Sequence, residues 1–92
     1  METRRIDFDA TALQTLLRQM VALIVTDPTT IECNLHSSSE DSTQIYEIVV
    51  SGNDFGKVLG KNGKMAEALR TFVRAVAGMY DKPIMLELCA RK

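Results

Sequence analysis

The sequence predicts a single α+β domain in which helices pack on one face of a three-stranded sheet, in the order α-β-β-α-α-β. Three observations carry this. Apolar residues recur at helical spacing in two separated segments, alternate at strand spacing in three others, and a glycine-flanked break divides the second helical region. With 92 residues the chain has room for one core and no second lobe. Residues 1–92 are accordingly read as one domain, with residues 1–8 as a flexible N-terminal extension.

The elements follow in order. Asp9 is a suitable N-cap. After it Leu13, Leu16, Leu17, Met20, Val21 and Ile24 form one apolar stripe, which should end near Val25–Asp27 because Pro28 disfavours helical geometry at the residue before it. Ile31, Cys33 and Leu35 alternate with Glu32, Asn34 and His36, the period of a half-buried strand. The polar run Ser37–Ser42 is short enough for a hairpin. From Gln44 to Val50 the residues are mostly β-branched or aromatic, with apolar side chains on both faces, which suits a more central strand or a second buried surface. Ser51-Gly52-Asn53-Asp54 then breaks the strand, Asn53 being the best N-cap for a short helix over Asp54–Leu59. A longer helix starts at Lys64 with Met65, Leu69, Phe72, Val73 and Val76 on one side. Gly78 and Asp81-Lys82-Pro83 should end it. Ile84, Leu86 and Leu88 form a third strand of undetermined direction, and Arg91-Lys92 a solvated tail.

Composition excludes several function classes. The longest apolar run, Met20–Val25, is too short to span a bilayer. The first residues lack the apolar stretch of a secretory signal, so the cytoplasm is the expected compartment, with no membrane partner. Cys33 and Cys89 are the only thiols and His36 the only histidine, too few for a metal site; two reduced thiols are expected, with a disulfide left open. Asp7 and Asp9 suit a helix start, Tyr46 and Phe72 suit a core, and Tyr80 beside Asp81 suits exposure. No nucleophile–base pair or cofactor motif is present, so the chain reads as neither an enzyme nor a cofactor carrier.

The net charge of −1 hides an asymmetry. Residues 1–50 hold three basic and eight acidic residues, whereas residues 51–92 hold eight basic and four acidic. Within Gly56–Ala75 five bases (Lys57, Lys61, Lys64, Arg70, Arg74) face one acid, Glu67. This asymmetry points to an anionic partner for the second half, with a solvated charged face as the alternative reading.

The segment that decides between functions is Phe55–Ala66. Gly60 permits positive φ at the end of the short helix, and Gly63 turns the chain straight into the next one. A partner can then approach the backbone closely while the second helix points its first N–H groups at it. Lys57, Lys61 and Lys64 surround the turn, and flexible ammonium groups suit phosphate. A P-loop is excluded, since Gly56 and Gly60-Lys61 are one residue too close and Asn62 stands where Ser or Thr is needed. The Gly52, Gly56, Gly60 spacing lacks the apolar span that would make it a membrane-helix motif. On the glycines alone a plain helical corner is the better reading; the lysines and the β-α-α-β context reverse that.

Val58-Leu59-Gly60-Lys61-Asn62-Gly63-Lys64 resembles the V-I-G-x-x-G signature of KH domains, and the element order resembles their bacterial, type II form. The whole chain resembles the small stand-alone bacterial KH proteins of the KhpA (YlqC-like) family, with residues 45–74 carrying most of the likeness. The resemblance implies single-stranded RNA binding through the Gly60-Lys61-Asn62-Gly63 loop, with Lys61 and Asn62 at the variable positions. Lys57 and Lys64 would flank it, and Val58 and Leu59 would form part of a groove wall. Arg70 and Arg74 are further candidate RNA contacts, which Glu67 could instead pair. Leu59 departs conservatively from the usual isoleucine. Dimerisation is also implied, with a second copy or with another KH-containing protein of the Jag/KhpB type. An RNA chaperone or post-transcriptional regulator fits these features. The alternative is a protein-interaction or ribosome-assembly subunit that works mainly through a partner.

Overall fold

The strand from Gln44 to Ser51 lies at the centre of the domain, and its two faces explain the rest of the architecture. A computed structural model describes residues 8–91. It gives α1 (Ala10–Ala22), β1 (Glu32–Ser37), β2 (Gln44–Ser51), α2 (Gly52–Leu59), α3 (Lys64–Tyr80) and β3 (Ile84–Arg91), with single 3-10 turns at Pro28–Thr30 and Lys61–Gly63. The sheet order is β1-β2-β3, β1 antiparallel and β3 parallel to β2. A parallel neighbour needs a long crossover, which α2 and α3 supply. That pairing settles the direction of the third strand.

Tyr46, Ile48 and Val50 of β2 are fully buried beneath the helices, together with Leu17 and Val21 of α1, Val58 of α2 and Val73 of α3. Burying a side chain of this size contributes about 1.5–3 kcal/mol, so this one cluster dominates stability. The opposite sheet face is open, and Ile45, Glu47 and Val49 are only half-buried there. Tyr46 also carries a hydroxyl, which donates to the Ala10 carbonyl at 3.0 Å and ties the sheet to the first turn of α1. Burial pushes its pKa up to about 12.

Several element ends differ from the sequence expectations, each for a local reason. Asp9 caps α1 as expected, accepting from the Ala12 N–H at 3.0 Å. The regular helix ends at Ala22, short of Val25–Asp27, because the Leu23 and Ile24 N–H groups tighten onto the carbonyls three residues back, and Asp27 then caps a separate turn through the Thr29 N–H and hydroxyl. The N-cap of α2 is Ser51 rather than Asn53, which sits inside the helix. Gly78 lies within α3, whose end is set by Asp81 in the left-handed conformation (φ 55°, ψ 47°) with Pro83 beyond. Met65 is partly exposed and Phe72 and Val76 half-buried, so the buried face of α3 is Ala66, Leu69 and Val73.

Arg91 is no solvated tail: it pairs with Ser51 in β3 and reaches Glu32 at 2.9 Å. Lys92 and residues 1–7 of the expected extension lie outside the described residues, while Phe8 packs edge-on against Tyr80 with ring centroids 5.3 Å apart. Cys33 is in register with Ile48 on the helix side of the sheet, and Cys89 with Val49 on the open side. The sheet therefore separates the thiols, and both are free. Among the described residues no helix is long and apolar enough to cross a membrane.

Candidate nucleic-acid interface

The end of α2, the turn and the start of α3 form one continuous backbone feature. The Gly60 N–H closes α2 on the Gly56 carbonyl at 2.9 Å, and the Gly63 N–H donates to the Gly60 carbonyl at 3.0 Å. Three of these four loop residues have positive φ: Gly60 (78°), Asn62 (56°) and Gly63 (72°). The two glycines are not equivalent. A Cβ on Gly60 would stand 2.6 Å from the Met65 Cβ and 2.7 Å from the Met65 backbone nitrogen, whereas one on Gly63 would meet nothing within 4 Å. Gly60 is thus required by the fold itself. Gly63 leaves open space in front of the loop, and Asn62 is among the few side-chain-bearing residue types that tolerate its conformation.

Gly63 is the N-cap of α3 and no side-chain hydrogen bond caps that end. The Lys64 N–H donates instead to the Lys61 carbonyl, and the positive dipole end of the 17-residue helix lies at the loop. Lys61, Asn62 and Lys64 are exposed around it. Among the described residues no acid pairs with Lys61 or Lys64.

The other candidates divide. Lys57 is engaged, its ammonium donating to the Thr26 hydroxyl at 2.6 Å and standing 3.8 Å from the Asp54 carboxylate. Val58 is fully buried and so supports any groove wall from beneath, while Leu59 is half-buried and reachable. Arg70 and Arg74 lie on the flank of α3 that faces β3. Here an apolar groove floored by Val73, Ile84 and Leu86 runs beneath them with Met85. Arg74 pairs with Glu67 at 3.2 Å, an exposed contact worth about 0–1 kcal/mol that an anion can displace. Arg70 is half-buried and makes no such pair among the described residues.

On the side of α3 that faces α1 the lining of one groove carries no charge. Met20, Leu23, Ile24, Met65, Ala68 and Leu69 line this groove, between α3 and the end of α1. Leu23 in this groove is 89% exposed, and Met79, in a second groove between α1 and α3 lined by Leu13, Leu16 and Phe72, is 77% exposed. His36 is exposed on the open sheet face, 3.4 Å from Glu47, and among the described residues no cluster of acids, His and Cys is arranged to hold a metal. Sequence reasoning missed Asp54. It is the one charged residue buried among those described, at 3% exposure, and its only sequence signal is the capping-box-like Ser51-x-x-Asp54 spacing.

A family model described as the KH domain of KhpA/KhpB matches residues 12–88. The chain belongs to that family. Among curated relatives, the RNA-binding protein KhpA of Oceanobacillus iheyensis is 37% identical over 76 residues, covering 83% of this chain and 99% of its own length. The protein of the same name from Caldanaerobacter subterraneus is 34% identical over 74 residues, 79% of this chain and 95% of its own. That from Listeria monocytogenes is 46% identical over 48 residues, 52% of this chain and 63% of its own. No solved structure gives a significant match. The α-β-β-α-α-β order with a mixed sheet is the type II KH arrangement, and a KH domain of this family is not an enzyme.

Proposed function

We propose that this KH domain binds single-stranded RNA, holding the backbone at the Gly60–Gly63 loop and receiving bases in the groove between α3 and β3. The observation that carries the reading is the loop. Its backbone is open at Gly63, it sits at a helix N-terminus without a side-chain cap, and Lys61 and Lys64 beside it are exposed. The α3–β3 groove adds a floor of apolar side chains for unstacked bases beneath a rim of Arg70 and Arg74. Its cationic rim favours it for nucleic acid over the uncharged α1–α3 groove. The relatives named RNA-binding protein KhpA point the same way.

Such a grip reads backbone more than sequence, which suits an RNA chaperone or post-transcriptional regulator acting in the cytoplasm. Fluorescence anisotropy with a labelled single-stranded RNA, its duplex form and rising salt tests it. Binding should favour the single strand and weaken with a slope of about −0.7 per neutralised phosphate in log K against log salt. Duplex preference, or no salt dependence, contradicts it.

A second reading rests on the exposed apolar side chains of the α1–α3 flank, Leu23 and Met79 above all. It is that this flank joins two copies of the chain, or this chain and a second KH-containing protein of the KhpB type. The alternative of a ribosome-assembly or protein-interaction subunit would make that contact the main activity and the loop secondary.

A further inference from the structure

The helix that ends in the loop is poorly equipped to hold its own position. α2 has eight residues, includes Gly52 and Gly56, and has no side-chain hydrogen bond at its N-cap. Helices this short are marginal, and an internal glycine such as Gly56 costs about 1 kcal/mol relative to alanine. On one side Val58 anchors α2 in the core. On the other stands Asp54, where three parts of the chain meet. The Thr26 N–H, from the connection after α1, donates to its Oδ1 at 3.0 Å. The Ser51 hydroxyl, from the end of β2, reaches its Oδ2 at 3.4 Å, and the Lys57 ammonium lies 3.8 Å from Oδ1. Lys57 closes the ring by donating to the Thr26 hydroxyl at 2.6 Å.

A buried carboxylate is tolerated only when its lone pairs are satisfied. Here the Thr26 N–H is the main cause that holds Asp54 below its ordinary value of 3.8, against the opposing effect of burial. Neither Thr26 nor Ser51 belongs to the loop or its groove. The network therefore gains nothing for the interface except the placement of α2. It also holds the Lys57 ammonium on the Thr26 side of α2.

We infer that Asp54, Lys57 and Thr26 form a latch that seats α2 and so positions the Gly60–Gly63 loop, and that Lys57 serves this latch rather than binding phosphate. The second half of this rests on the RNA-binding reading; the first half does not. Asp54 is then a positioning residue. Its carboxylate orients the helix whose last carbonyls hold the loop, as the Gly60 N–H to Gly56 contact shows.

Two measurements test it. Native-state hydrogen exchange of Asp54→Asn should show the Gly60 and Gly63 amides exchanging on the order of tenfold faster, about one charge-assisted hydrogen bond, with the Tyr46 and Ile48 amides unchanged. Unchanged loop amides, or equal acceleration of loop and core, would overturn the positioning role. Thr26→Val, which removes the hydroxyl that serves both Lys57 and Asp54 but keeps the backbone donor, should give a smaller effect at the same two amides. If Asp54→Asn does not fold, this milder variant decides: no change at those amides refutes the latch.

For Lys57 the reading is the salt slope with a labelled single-stranded RNA. Lys57→Met should leave it unchanged, while Lys61→Met should reduce it by about 0.7. An equal reduction in both would return Lys57 to the phosphate ligands and overturn the assignment. If the parent protein binds no RNA, the RNA-binding reading fails, and hydrogen exchange alone still decides the latch.

Discussion

Replacing each loop glycine by alanine separates what the fold needs from what a ligand needs. At Gly60 the backbone lies at φ 78°, ψ 174°, a region that essentially only glycine occupies, and strain of this kind costs about 1–3 kcal/mol. The added methyl would also stand 2.6–2.7 Å from Met65 atoms at the start of α3, one of them backbone, so α2 and α3 would have to separate. The total for Gly60→Ala should be about 3 kcal/mol or more. For a domain of this size that lowers the melting temperature by roughly 12 °C or more. At Gly63 the conformation is ordinary left-handed helix (φ 72°, ψ 12°) and the space around it is open. Gly63→Ala should cost only about 1–2 kcal/mol, lowering the melt by roughly 4–16 °C. In a thermal melt followed by circular dichroism, Gly60→Ala should therefore unfold first. Gly63→Ala, measured well below its melt, should be folded yet bind single-stranded RNA on the order of tenfold more weakly, because its methyl stands where the backbone must approach. Gly60→Ala melting at or above Gly63→Ala would refute the steric argument. Full RNA affinity in folded Gly63→Ala would refute the close approach.

Other outcomes follow from the same geometry. Asn62, at φ 56° and ψ 28°, should accept glycine with little change, whereas Asn62→Val should destabilise by about 1–2 kcal/mol in the same melt. Glu47 is held below its ordinary 4.5, chiefly by the Asn34 amide and then by His36. Asp54 is held below 3.8, chiefly by the Thr26 N–H. Because both folded-state values are lowered, their stabilisation is complete above the ordinary carboxylate values and is lost as pH falls through the lowered ones. Denaturant midpoints taken from neutral pH downward should thus fall on acidification, and Glu47→Gln or Asp54→Asn should flatten that fall; an unchanged profile in both contradicts the assignment. Leu23→Glu combined with Met79→Glu should leave a folded monomer in sedimentation at concentrations where the parent associates. A parent that is monomeric at high concentration would count against the apolar flank as a self-contact.

Much of this architecture is legible in the sequence because it is set by short-range physics. Asp9 before a helical stripe marks α1, and of the two readings that apolar residues on both faces of β2 leave open, a central strand or a second buried surface, the sheet order shows the first. The loop stands out because Gly60 and Gly63 flank exposed polar residues. What was not legible depends on distant partners. The direction of β3 is fixed by pairing Tyr46 with Leu86, forty residues on, and no local pattern encodes it. Lys57 reads as one of three cations around the turn because its partner Thr26 lies 31 residues away. Val58 reads as groove surface in a linear motif but is taken up by the core. Arg91 looked like a tail only because its strand partner Ser51 and ion-pair partner Glu32 lie far earlier in the chain.

The central claim is that the Gly60–Gly63 loop holds an RNA backbone, and replacing its two outward side chains with acids tests it most directly. Lys61 and Asn62 are both exposed, and aspartate tolerates the left-handed conformation of Asn62 almost as well as asparagine, so Lys61→Asp with Asn62→Asp should leave the circular dichroism spectrum unchanged. Two carboxylates at that point repel phosphate. In a gel-shift assay at moderate salt the folded variant should retain no single-stranded RNA at concentrations where the parent is saturated. Retention equal to the parent's would contradict the account.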